Sequence, residues 1–296
     1  MNTMTSANQP VVEQRTALRS LFLRNAKNTI MTLLMGGALL AVLFPLGLIF
    51  VHIMKMGLSS ISLDFFLHIP RPTGEAGGGM ANGMVGSMVL IGMASLLGIP
   101  VGIFGAIYLS EYGGSRISTV IRFCADVLSG IPSIITGMVV YSMLVVPMKG
   151  FSALAGAFAL ALIMIPIVLR TTEEQLKMVP ISLREASLAL GVPLWRTTLK
   201  VTLRSALTGV TTGILLAIAR VAGETAPLIF TALGNQFWSS KLTQPIAALP
   251  LQIFSFAIAP YDDWHRLAWA GALVLVVTMF ALSLTARYFG RTGHKN

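Results

Sequence analysis

Arg220 stands in the middle of a long apolar run, Leu215-Leu216-Ala217-Ile218-Ala219-Arg220-Val221-Ala222-Gly223-Glu224. A guanidinium keeps its proton inside a protein, and an arginine at the centre of a hydrocarbon layer costs about 2.5–3.5 kcal/mol even on the lenient insertion scale. It must therefore face a neighbouring helix or a water-filled path. Glu224 follows four residues later, on the same face of a continuous helix. Two readings are open. In one the charges neutralise each other as a structural pair. In the other the planar guanidinium takes a tetrahedral oxyanion through paired hydrogen bonds, while Glu224 keeps the anion from being held too tightly to leave. Pro227, three residues beyond Glu224, would bend the helix beside both groups. A second set, Arg170, Glu173 and Glu174, has i,i+3 and i,i+4 spacing. It can pair along one helix, snorkel to an interface, or, through Arg170 and Glu173, join the same anion path. Asp126, four residues after Arg122, reads as a structural pair.

Residues for bond-making chemistry are not arranged in any recognisable set. Asp126 and Glu224 are the acids inside apolar stretches, at different depths, and neither a G-x-S-x-G nor an H-E-x-x-H run occurs. His52, His68, His265 and His294 are scattered, and Cys124 stands alone and reads as a small core residue. No metal, cofactor or catalytic residue is assigned, and the chain is expected not to be an enzyme. There is no G-x-x-x-x-G-K-[ST] run to cradle phosphates, so any work drawn from ATP must come from a separate chain.

Between Arg170 and Arg204 lies a polar loop that encloses its own short helix. Ser182-Leu183-Arg184-Glu185 fits a capping box, Gly191 supplies a stop and Pro193 lies just beyond it. Within these limits Leu183, Ala186, Ser187 and Leu190 fall at i, i+3, i+4 and i+7, which predicts a narrow face of small and apolar residues suited to a groove. The bland alternative is a well-capped surface helix.

The elements that must position these groups are membrane spans. The chain is 55% hydrophobic and 11% charged, against roughly 25% charged for soluble domains. Its net charge of +10 does not form a nucleic-acid stripe, because the basic residues punctuate apolar stretches instead. About 20 apolar residues cross a bilayer, which predicts six spans near Thr29–Val51, Ala81–Leu109, Ile121–Val146, Ser152–Leu169, Ser205–Leu233 and Leu267–Tyr288. With the N-terminus inside, the basic residues of Arg15–Lys27, Arg116, Arg122, those of Arg170–Arg204 and those of Arg287–Lys295 share the cytoplasmic side. Only Lys55, Arg71, Lys149, Lys241 and Arg266 fall outside, so both termini are expected in the cytoplasm. The expected layout is a cytoplasmic segment 1–28, a permease-like domain 29–288 with its loop at 170–204, and a tail 289–296. The N-terminal stretch is too long and basic for an ordinary signal peptide and is expected to be retained. Leu18, Leu21 and Phe22 allow it to lie along the inner surface, or it is a plain basic anchor.

Prolines at Pro45, Pro100, Pro132, Pro166 and Pro227 predict bent helices in a packed bundle. Gly83, Gly86, Gly92, Gly98, Gly102 and Gly105 predict close helix approach. Phe237, Trp238, Tyr261 and Trp264, in the extracytoplasmic segments, read first as interfacial anchors.

Glu185-Ala186-Ser187, three residues and Gly191 resemble the EAA loop of bacterial ABC-importer permeases. Here Ser187 stands for the usual third alanine, and Val201-Thr202-Leu203-Arg204 lacks the trailing proline. The run Thr212–Leu233, Gly77-Gly78-Gly79-Met80-Ala81-Asn82, Gly234-Asn235-Gln236-Phe237-Trp238 and Arg170-Thr171-Thr172-Glu173 together resemble the PstA-type phosphate permeases from about Gly74 onward. The resemblance implies an all-α, polytopic, six-helix type I (MetI-like) bundle in the bacterial inner membrane. It also implies import of inorganic phosphate from an extracytoplasmic binding protein. The implied partners are a sister permease and two ATPase subunits, docked at Leu183, Glu185, Ala186, Ser187, Leu190 and Gly191. Alternatives are the PstC-type sister, a permease for another oxyanion, or a stand-alone secondary transporter. The last is disfavoured because no internal repeat is evident.

Overall fold

The computed structural model describes residues 9–72, 75, 77–239 and 241–292, without the side chains of 9–23, 26 and 289–292. The side chains of Arg15 and Arg19 and all side chains of the tail 289–296 therefore lie outside the described residues, as does the surface-lying reading of Leu18, Leu21 and Phe22. The described chain is helical, linked by loops and isolated bridges. It divides into two units at Lys55/Met56.

The first unit is helix. α1 runs Gln9–Leu58 without interruption, so the segment read as polar and the first span form one rod, and Pro45 is accommodated within it. Its apolar side chains from Ile30 to Val51 are exposed.

The second unit is built around α7 (Ala153–Lys177), the most enclosed of the long apolar helices. Ser152 caps it by accepting a hydrogen bond from the Ala155 amide at 3.2 Å. α3 (Ala81–Glu111) lies along it, with Gly98, Gly102 and Gly105 at close approach to α7 as the spacing predicts, whereas Gly83 and Gly86 approach the 246–252 stretch and nothing lies within 4 Å of a Cβ built on Gly92. A Cβ on Gly102 would sit 2.8 Å from Val168, and one on Gly98 would press on Met164, so the two backbones approach only because these side chains are missing. α10 (Leu203–Ala222) packs on the other side of α7, and α13 (Asp262–Thr292) packs on α10. Leu90, Ala94, Leu160, Met164, Val168, Ala217 and Val221 form the shared core.

Among the described residues, five helices are long and apolar enough to cross a membrane. A sixth crossing needs both arms of the third predicted span, which is not one rod. α4 (Arg116–Gly130) and α5 (Ser133–Val140) meet at 106° across Ile131-Pro132. Pro132 lacks an amide proton and biases Ile131 to extended backbone (φ −75°, ψ 130°), so the helix stops there. α5 continues through a π-helical turn, Tyr141–Val145, into α6 (Val146–Met148). The fifth predicted span also differs. It starts earlier, with a turn, α9 (Leu194–Thr197), and a π-helical stretch Thr198–Thr202 leading into α10, and it breaks at Gly223-Glu224-Thr225 before α11 (Ala226–Thr231).

At one end of the bundle, α2 (Leu63–Leu67), the loop 232–248 and α12 (Leu249–Ala257) gather. Ile246, Ala248 and Leu251 enter the central core, so this stretch folds back into the bundle rather than lying over it. The Asn82 amide donates to the Asn235 carbonyl at 2.9 Å and accepts from Gln252 at 3.1 Å. The backbone amide of Leu249 donates to the Ser87 hydroxyl. At the opposite end lies α8 (Ile181–Ala189).

Candidate functional site

Arg220 lies two residues before the end of α10 and is exposed. Its side chain lines a cavity of about 270 Å³ with Ser129, Gly130, Ile131, Pro132 and Ser133 from the α4–α5 break, and Ile163, Pro166 and Ile167 from α7. Glu224 does not face it. The helix ends at Ala222, so the i,i+4 geometry that would join the two groups never forms, and Glu224 borders a different, much smaller space with Ser87, Leu90, Ala248 and Pro250. Of the two readings open from the sequence, the Arg220–Glu224 structural pair is not formed. Among the described residues neither side chain has an ion-pair partner. The arrangement leaves a permanent cation unneutralised at a junction of two broken helices. Such a group attracts an anion.

The second charged set is rearranged as well. Spacing allows Arg170 to pair along its own helix with Glu173 or Glu174, one of the readings left open, and reads Asp126 as the partner of Arg122. Instead α4 crosses α7 so that the partners are exchanged. Arg122 pairs with Glu173 at 2.9 Å, and Arg170 pairs with Asp126. Glu173 is only 2% exposed and also takes Lys177 at 2.6 Å, while Glu174 points outward. Arg122 further donates to the carbonyls of Leu109 and Gly113, both at 3.1 Å, and so closes the frayed end of α3. Interhelical pairing prevails where α4 packs on α7, which brings Arg122 to the buried Glu173 and Asp126 to Arg170. Cys124, read as a core residue, is exposed, because α4 turns Ala125 and Ile121 inward instead.

The loop helix α8 is present, with a different start. Its N-cap is Pro180, no side chain caps it, and helix begins at Ile181, so the Ser182–Glu185 capping box is not formed. Pro180 presets φ at −55°, a value that serves a helix start without a hydroxyl. The stop is as read. Gly191 has φ +75°, its amide donates to Leu188 O at 2.9 Å, and the Val192 amide reaches Ser187 O at 3.3 Å, a complete Schellman closure. Of the expected face, Leu183, Ala186 and Leu190 are exposed, Leu190 at 83%, and Glu185 is exposed beside them. Ser187 is not on that face. It is buried and hydrogen-bonded to Thr197 at 2.9 Å, tying α8 to α9.

Sequence reasoning missed Arg184. Its guanidinium pairs with Glu111 at 2.9 Å and donates to the Leu176 carbonyl at 2.8 Å, so it fastens α8 to the ends of both α3 and α7. Nothing in its spacing distinguishes it from the other basic residues of the loop, since its partners lie 73 and 8 positions away.

This bundle, with two broken spans and an outlying loop helix, belongs to a class of protein, the membrane components of binding-protein-dependent transport systems. A family model described as "Binding-protein-dependent transport system inner membrane component" matches residues 98–292. Among solved structures, the inward-facing MetNI methionine ABC transporter is similar in fold, with a TM-score of 0.57 at 18% identity over 72% of this chain and 93% of that one. The "Phosphate transport system permease protein PstA" of Yersinia pestis is 49% identical over 89% of this chain and 90% of its own length. Its counterpart in Xylella fastidiosa (strain Temecula1 / ATCC 700964) is 50% identical over 79% and 82%. A "Probable phosphate transport system permease protein PstA" of Methanocaldococcus jannaschii is 36% identical over 90% and 94%. The chain is a multi-pass membrane protein and belongs to the PstA family of transport-system permeases.

Proposed function

We propose that this chain forms half of the translocation pathway for inorganic phosphate in an ATP-driven importer of a bacterial inner membrane. The observation that carries the reading is Arg220, a guanidinium with no ion-pair partner among the described residues, at the wall of a cavity formed at the α4–α5 break. Kinship with phosphate permeases supports phosphate as the oxyanion. A sister permease completes the pathway, and an extracytoplasmic binding protein delivers the anion. Two ATPase subunits supply the work, and no hydrolysis occurs on this chain. Both termini lie in the cytoplasm, where the basic residues concentrate.

Arg220 meets the anion by charge-assisted hydrogen bonds. Glu224, half-buried at the α10–α11 break and bordering its own small space, acts at a separate point of the pathway from Arg220, where its charge disfavours a standing anion. Arg170 and Glu173 act at the cytoplasmic end of the pathway, holding α4 against α7 through their partners on α4. On α8 the ATPase takes Leu183, Glu185, Ala186 and Leu190, while Ser187 and Gly191 keep the helix folded for it.

ATP-dependent uptake of labelled phosphate and sulfate into vesicles, with this chain, its sister, the ATPase and the binding protein, tests the reading. Phosphate-selective uptake that needs all four components is expected. Uptake by this chain alone would establish a secondary transporter instead, and sulfate preference would overturn the substrate.

A further inference from the structure

The cavity beside Arg220 carries two hydroxyls that the reading above leaves without work. Ser129 is in the last turn of α4 and Ser133 is the first residue of α5, so the Ile131-Pro132 break sets them on either side of one opening. Both line the cavity with Arg220, and among the described residues neither hydroxyl has a hydrogen-bond partner. Serines inside membrane helices ordinarily satisfy their hydroxyls on the carbonyl three or four residues back, as Ser142 and Thr171 do here. Ser133 is the first residue of α5, with no helical carbonyl of its own helix three or four residues back, and Ser129, though it has such carbonyls in α4, does not bond to them. The arm that bears Ser133 is also fixed in place. A Cβ on Gly137 would come within 2.6 Å of Pro227 Cα, so α5 rests directly on the backbone of α11, next to the second break.

We propose that Ser129 and Ser133 are further substrate-contacting residues, whose hydroxyls bind the oxyanion together with Arg220 as it passes the α4–α5 break. The chemistry is complementary. A guanidinium only donates, whereas a hydroxyl both donates to an oxyanion oxygen and accepts from the acidic proton that hydrogen phosphate carries. Three groups from two broken helices then replace part of the anion's hydration shell. The assignment rests on Arg220 being in the pathway.

The test uses the assembled transporter with its sister permease, ATPase and binding protein, and reads phosphate uptake at saturating binding protein. S129A and S133A are each expected to lower the maximum rate about tenfold, the loss typical of one hydrogen bond to a charged group. S133T, which keeps the hydroxyl, is expected to stay within about twofold of the parent. Normal uptake by the S129A/S133A double variant, with R220Q inactive, would overturn the two serines and leave the pathway standing. Normal uptake by R220Q would instead remove the pathway itself. If an alanine variant fails to assemble, S129C and S133C on a C124A background decide the matter. Modification by a small water-soluble thiol reagent, slowed by millimolar phosphate, is expected at both. A cysteine that does not react, or reacts equally with phosphate present, overturns the proposal.

Discussion

Arg122 and Arg170 do not take the partners that spacing along their own helices assigns them, and the exchange changes what each residue is worth. Glu173, 2% exposed, depends on Arg122 and Lys177 for its charge to remain buried. Removing Arg122 also uncaps α3 at Leu109 and Gly113. Arg122→Ala is therefore expected to destabilise the detergent-purified complex by on the order of 2–3 kcal/mol. The check is its thermal unfolding midpoint, and the Arg122→Ala/Glu173→Gln double variant should recover part of the loss, because the stranded charge is gone. An unchanged midpoint for the single variant would show that the pair contributes nothing. Arg220 predicts the opposite profile. With no partner to lose, Arg220→Gln should assemble and melt normally while phosphate uptake disappears. Normal uptake at normal expression would remove Arg220 from the path.

At the level of the element, α8 is held by its ends. Arg184 fastens its start to Glu111 and Leu176, Ser187 fastens its middle to Thr197, and Gly191 turns the chain out at φ +75°. No atom lies within 4 Å of a Cβ built on Gly191, so a side chain there costs conformation rather than space, about 1–2 kcal/mol for a β-branched residue. Gly191→Val should weaken ATPase copurification and stimulation, and Gly191→Asn, which tolerates the left-handed region, should retain most of both. Equal copurification of Gly191→Val and the parent would sink the docking assignment. The α4–α5 corner is a second element-level device. Proline ends one arm and the other leans on Pro227, so the bend is fixed by packing on both sides of the break.

In the second unit, the arginine and lysine ion pairs Arg122–Glu173, Lys177–Glu173, Arg170–Asp126 and Arg184–Glu111 lie toward the α8 end, and the Asn82 amide contacts lie at the other. The Asn82–Gln252 and Asn82–Asn235 bonds tie α3 to the folded-back stretch that carries Ile246, Ala248 and Leu251 into the core. Asn82→Ala strands the Gln252 amide and the Asn235 carbonyl, each at about 1–3 kcal/mol if buried. Limited proteolysis of the purified protein should then cut the 234–248 segment faster than in the parent. An identical cleavage rate would show that the stretch is held by its apolar contacts alone.

Local signals were legible in the sequence because they act over a few residues. Long apolar runs marked the spans, glycine spacing marked the α3 face that meets α7, Gly191 marked the end of α8, and an intramembrane arginine marked the cavity. Tertiary structure alone decided which charges meet. Arg122 with Glu173, Arg170 with Asp126 and Arg184 with Glu111 join residues 51, 44 and 73 positions apart, and such pairings depend on how helices cross. The same holds for Arg220 and Glu224. Their spacing promises a pair only while the helix continues, and the break after Ala222, packed against α5 at Pro227, sends the two charges to different spaces.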